Sequence, residues 1–100
     1  MSSIQTQFKD KIGEVAYTPN QIVRMLEKIN QRKPESRIRR YIQEQGLGIT
    51  LEELEINPKK ESNTKAWVPK SNLQKIINGL EIYATINDLE NAAYELGYQY

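Results

Sequence analysis

Prolines stand at positions 19, 34, 58 and 69 of a 100-residue chain. A proline has no N–H to donate and clashes inside both helix and sheet, so each must mark the edge of an element. Short elements joined by defined turns are the result. Tyr17-Thr18-Pro19 reads as a helix start, with Thr18 as N-cap and Pro19 at the first helical position, where a missing N–H costs nothing. Ile22, Val23, Leu26 and Ile29 follow at helical spacing as one apolar stripe, and Arg24, Glu27 and Lys28 fall outside it. After a polar connection at residues 30–33, Pro34 opens a second helix running to Gln45, with Lys33 as its N-cap and Gly46 as its stop. Such a pair has the local signature of a helix-turn-helix and equally of a plain helical hairpin.

The segment 47–56 mixes β-branched residues with Leu51 and Leu54; it fits a strand, or one helical turn followed by a strand. Asn57-Pro58 and residues 59–64 form a polar turn, and Lys65-Ala66-Trp67-Val68 reads as a returning strand ended by Pro69. A hairpin with a basic tip results. Ser71 begins a third helix with Leu73, Ile76 and Ile77 on one side, closed by Asn78-Gly79. Thr85 and Asp88 have capping-box spacing, and Ile86, Leu89, Ala92, Ala93 and Leu96 continue as an amphipathic fourth helix before Gly97.

Composition narrows the chemistry. One domain fits this length and two do not. With 38% hydrophobic and 27% charged residues the chain is too apolar to be wholly disordered. It has no cysteine and no histidine, which removes disulfides, thiolate and imidazole metal sites and histidine acid–base chemistry, so neither a metal nor a cofactor is expected. The remaining carboxylates and hydroxyls include no pair spaced as an activated nucleophile, so an enzyme is not expected either. Residues 1–11 lack the apolar run of a signal peptide, and no stretch approaches the roughly 20 apolar residues of a membrane span, which points to a cytoplasmic protein without a membrane partner.

The whole-chain charge of +1 conceals a strong asymmetry. Residues 24–40 carry seven basic side chains against Glu27 and Glu35, a net of +5, and residues 59–75 carry five lysines against Glu61, a net of +4. Residues 81–100 hold four acids and no base. Charge alone would suit a solvated face as well as a phosphate-binding one. The second helix adds direction: at 100° per residue Ile38, Tyr41 and Ile42 face the core, and Ser36, Arg40 and Gln43 stand opposite, flanked by Lys33, Arg37 and Arg39. Arginine can pair bidentately with guanine and glutamine with adenine, so this stripe suits base edges and phosphates.

A Tyr-Thr-Pro helix start, a helix carrying Ile38-Arg39-Arg40-Tyr41-Ile42, a Gly46-Leu47 exit and a closing Trp67-Val68-Pro69-Lys70-Ser71-Asn72-Leu73 occur in that order. This order resembles the winged helix-turn-helix of the phage excisionase and MerR-like DNA-binding family, over residues 17–79. The resemblance implies a mainly α fold with a small β-hairpin wing, to which this chain adds a C-terminal helix. It implies that Arg39 and Arg40 face DNA, that Tyr41 and Ile42 hold the recognition helix down, that Trp67 pins the wing strand and that Lys70 occupies the basic position leading into the last helix. The chain departs from the family in a longer segment between Gly46 and Trp67 containing Glu52, Glu53 and Glu55, and in a wing tip without Gly-Arg.

The expected organisation is an extension at 1–16, a DNA-binding domain at 17–79 and an acidic helix and tail at 80–100. The expected function is sequence-specific binding of double-stranded DNA by a nucleoid-associated regulator of transcription, recombination directionality or plasmid and phage maintenance. The candidate contacts are Thr18, Arg32, Lys33, Ser36, Arg37, Arg39, Arg40, Gln43, Lys59, Lys60, Asn63, Thr64, Lys65 and Lys70. The alternative is a protein-interaction adaptor or inhibitor in which the acidic C-terminal helix, with Tyr94, Tyr98 and Tyr100, meets a second copy or another protein.

Overall fold

The computed structural model describes residues 4–50 and 66–98. In chain order these form helix α1 (Ile4–Ile12), strand β1 (Ala16–Tyr17), helices α2 (Pro19–Lys28) and α3 (Glu35–Gln45), and strands β2 (Ile49–Thr50) and β3 (Ala66–Pro69). A 3-10 turn (Lys70–Asn72), α4 (Leu73–Gly79) and α5 (Ile86–Glu95) follow. The domain is mainly helical with a small antiparallel sheet of order β1-β3-β2, in which β2 and β3 make the wing beside the α2–α3 pair.

Capping sets where the helices begin. The Thr18 hydroxyl accepts the Gln21 N–H at 3.2 Å and the Gln21 side chain accepts the Thr18 N–H at 3.0 Å, a reciprocal cap that starts α2 with Pro19 in its first turn. Thr85 and Asp88 repeat this arrangement at the start of α5. At α3 the cap is displaced by one residue from the sequence expectation: Pro34, at ψ 139°, is still extended and stands as N-cap, so Glu35 and not Pro34 opens the helix and Lys33 does not cap it. The Pro34 carbonyl accepts the Ile38 N–H at 3.2 Å. Gly46 ends α3 at φ 62°, the left-handed region that glycine enters without Cβ strain.

Two further positions differ from the sequence reading. The buried stripe of α2 is Ile22, Met25 and Leu26, with Val23 and Ile29 only half-buried at its edges. Helix α4 begins at Leu73, after the 3-10 turn, and not at Ser71; it closes at Gly79 as the sequence implies, and the positive-φ residue beyond it is Glu81, at φ 53°. Gly79 has a packing reason: the Tyr41 ring of α3 lies where a Cβ would project. The Tyr41 hydroxyl donates to the Lys75 carbonyl at 3.3 Å, so the ring crosses α4 at its glycine.

The core is one cluster. Tyr17 from β1, Ile38 and Ile42 from α3, Val68 from β3, Leu73, Ile76 and Ile77 from α4, and Leu89, Ala92 and Ala93 from α5 pack around the α2 stripe. The sheet takes in Ala16, and the core takes in Leu80 and Ile82 as well as α5. Of the segment 47–56, Ile49–Thr50 is strand, and the rest beyond Thr50 lies outside the described residues. Among the described residues no helix is long and apolar enough to cross a membrane.

Gly48 tests the wing packing, because a Cβ there would stand 2.7 Å from the Ala66 Cβ and 3.2 Å from Ile42 Cγ2. Neither neighbour is the free end of a long side chain, so Gly48→Ala should lower stability by about 1–3 kcal/mol through overpacking. Urea denaturation against wild type measures it, and an unchanged midpoint would show that β2 is loosely held.

Candidate nucleic-acid interface

Burial fixes the outward face of α3. Ile38 and Ile42 are 0% and 2% exposed, and Tyr41 is half-buried against α4, so the helix is held from its inner side. Ser36, Arg37, Arg39, Arg40 and Gln43 are all exposed, as the 100° periodicity requires. Arg32 is exposed and Lys33 half-buried in the connection that leads into the N-terminus of α3. With 11 residues the helix is about 16 Å long, enough to lie in a duplex major groove.

The arginines are not equivalent. Arg39 donates from Nε and Nη2 to one oxygen of Glu35, at 3.2 and 2.9 Å, one helical turn back. Both side chains are about half exposed, so the pair contributes no more than about 0.5 kcal/mol and a phosphate can displace it. Arg40 has no ion-pair partner among the described residues and stands at the centre of the outward stripe. Glu44, also exposed, lies roughly 40° from Arg40 around the helix. The same angular arithmetic places it, yet the sequence reading leaves it out. An acid there repels phosphate and can accept from a cytosine amino group, so it shapes what the stripe can bind.

Two candidates lie away from this face. Thr18 is 4% exposed, and its hydroxyl serves the α2 cap, which sequence reasoning had already assigned to it. Lys70 is held by α5: its Nζ lies 2.8 Å from Glu90 Oε1, with the side chains 40% and 28% exposed. That hydrogen bond raises the ammonium pKa above its ordinary 10.5; partial burial opposes the rise, and the charges of Glu90, Tyr17 and Glu14 add to it. Glu14 also caps the turn that Lys70 begins, accepting the Ser71 N–H at 2.6 Å and its hydroxyl at 3.1 Å. Nothing local in the sequence announces a pair twenty residues apart. Lys59, Lys60, Asn63, Thr64 and Lys65 lie outside the described residues.

The brought-together set is therefore Arg32, Lys33, Ser36, Arg37, Arg39, Arg40 and Gln43, on α3 and its approach. No protein-family model, curated protein sequence or solved structure matches the chain, so function is argued from these side chains.

The Lys70–Glu90 pair makes a pH-dependent prediction. The folded state holds the Lys70 proton more tightly than the unfolded chain does, so the pair's contribution is complete below 10.5 and is lost as pH rises through the higher folded value. Screening keeps it small. Glu90→Gln should cost less than about 1 kcal/mol at pH 8, and the difference from wild type should shrink by pH 11. Denaturation of both proteins at the two pH values checks this; a gap that widens at pH 11 would contradict it.

Proposed function

We propose that this chain is a sequence-specific double-stranded DNA-binding protein, with α3 as the recognition helix, and that it is not an enzyme. The observation that carries the reading is the outward stripe of Ser36, Arg40 and Gln43, set opposite the buried Ile38 and Ile42 on a helix latched to α4 through Tyr41. Arg40 and Gln43 would read base edges, and Arg32, Lys33, Arg37 and Arg39 would meet phosphate. The resemblance of residues 17–79 to the excisionase and MerR-like winged helix-turn-helix supports the same reading, as does a β wing beside the helix pair. Lys59, Lys60, Asn63, Thr64 and Lys65 of the wing tip complete the proposed phosphate contacts, whereas Lys70 contributes only where phosphate displaces Glu90. A regulator of transcription, recombination directionality or plasmid and phage maintenance, acting in the cytoplasm at the nucleoid, would use such a surface.

A second reading, a protein-interaction adaptor or inhibitor, is favoured by two exposed aromatic side chains outside α3, Tyr83 at 84% and Tyr94 at 75%. Duplex DNA separates the two readings.

Binding to duplex DNA should weaken steeply with salt, because each neutralised phosphate releases counterion; about five to eight contacts give a log–log slope near −5 to −7. Arg40→Ala and Gln43→Ala should each cost about 1–3 kcal/mol on a selected site and relax discrimination at adjacent base pairs. Arg24→Ala, on the exposed side of α2, serves as the control. A slope near zero, or equal losses on selected and scrambled duplex for Arg40→Ala, would remove α3 from the role of reader.

A further inference from the structure

The bond that latches α3 also brings a second helix to its flank. With Arg40 as the outward direction, a turn of 100° per residue puts Arg39 about 100° to one side and Tyr41 about 100° to the other. The Arg39 flank carries its own cation. The Tyr41 flank is spent on packing: the ring lies over Gly79, and the hydroxyl donates to the Lys75 carbonyl at 3.3 Å. Lys75 and Gly79 are four residues apart and share one row of α4, so the lysine side chain leaves α4 on the row that Tyr41 packs against. It is exposed, and neither a hydrogen bond nor an ion pair holds its ammonium group among the described residues. The periodicity of α3 does not reveal it, because it belongs to another helix, 34 residues along the chain from Tyr41.

We propose that Lys75 is a further phosphate contact of the DNA-binding face, made from α4 along the flank of α3 opposite Arg39. The inference rests on the reading of α3 as the recognition helix. A helix with its side chains is about 10–12 Å across and the major groove is about 12 Å wide, so a helix seated there has a phosphate strand along each flank. Arg39 faces one strand once phosphate displaces Glu35. On the other flank α3 offers Arg37, about 60° from Arg40, and then, toward its C-terminus, the exposed Glu44 at about 40°. Lys75 joins this flank near the level of Tyr41, roughly 6 Å along the axis from Arg37, so it meets a different phosphate and offsets the repulsion from Glu44. Lysine suits this place, because a point charge on a flexible four-carbon stem can follow a phosphate without the fixed fork that base readout needs. The contact adds affinity and no sequence preference.

The experiment is equilibrium binding of the full chain, across a range of salt concentrations, to a duplex selected from random sequence and to its scrambled counterpart. Lys75→Gln should weaken both duplexes by the same factor, about five- to tenfold at about 0.1 M salt, and should lower the magnitude of the log–log slope by about 0.9. Lys75→Arg should preserve affinity and slope. Lys11→Gln removes the same charge from α1 and should change neither. Lys11 and Lys75 are both exposed, and circular dichroism confirms that each variant folds. Single methylphosphonate linkages, scanned along the selected duplex, each remove one phosphate charge: one of them should weaken wild type and leave Lys75→Gln unaffected. An unchanged slope in Lys75→Gln, a loss confined to the selected duplex, an equal loss in Lys11→Gln, or a scan without such a linkage would overturn this contact while leaving α3 as the reader. A wild-type protein whose binding ignores salt would instead overturn the reading of α3, and this contact with it.

Discussion

Burial of one face of α2 is the interaction on which the rest of the domain depends. Helix α2 packs against α3, β3 and α5, and Ile22, Met25 and Leu26 are each fully buried. At about 1.5–3 kcal/mol for each large apolar side chain removed from water, these three contribute an amount comparable with the whole net stability of a small domain. A single helix therefore orients both the one proposed to read DNA and the one that carries the C-terminal acids. Helix α5 is a wall of the same core, and Leu89, Ala92 and Ala93 cannot leave without exposing α2.

The second constraint acts on rotation. Ile38 and Ile42 alone would fix which half of α3 faces inward, but a helix seated on two aliphatic side chains can roll. Tyr41 prevents this, because its ring crosses α4 at Gly79 and its hydroxyl reaches the Lys75 carbonyl. Both neighbours of α3 thus hold it, and the direction of Arg40 is set by packing at Tyr41, Ile38 and Ile42. Base readout needs that order of cause, since a bidentate arginine contact loses its discrimination when the backbone beneath it turns.

Legibility in the sequence follows the range of the interaction. Caps within four residues were readable: Thr18-Pro19, Thr85 with Asp88, and Gly46 all do what their types imply. So was the amphipathic division of α3 and α5, which needs only a helical period. Helix α1 falls in a segment whose sequence reads as a polar extension, because the recurrence of Ile4, Phe8 and Ile12 every four residues is diluted by the charged and polar residues between them. Strand β1 is two residues long and exists only because β3 pairs with it, at Ala16 with Pro69 and Tyr17 with Val68. Gly79 ends α4 as its type implies, but it also admits an aromatic ring arriving from another helix, which no local pattern announces. The outward side of α3 was legible in the sequence, but Glu44 shows that picking favourable residues from a stripe is weaker than taking all of them.

Charge is where sequence and surface part most. Read along the chain, the molecule has basic segments at 24–40 and 59–75 and an acidic end. Folding brings these into contact, so that Lys28 meets Glu95 and Lys70 meets Glu90, while Glu35 engages Arg39 within α3. Each pair is at least partly exposed and individually weak, so their consequence lies less in stability than in the map of free charge. Lys28 and Lys70 are withdrawn from the basic count, and Glu90 and Glu95 from the acidic one. Arg32, Lys33, Arg37 and Arg40, in and around the approach to α3, keep their charge without an ion-pair partner among the described residues. The fold therefore leaves Arg32, Lys33, Arg37 and Arg40 as positive charge on α3 and its approach, unpaired among the described residues, beside the exposed Glu44. A net charge near zero is for this reason no argument against binding a polyanion, because potential at one face, and not the total over the chain, governs the encounter.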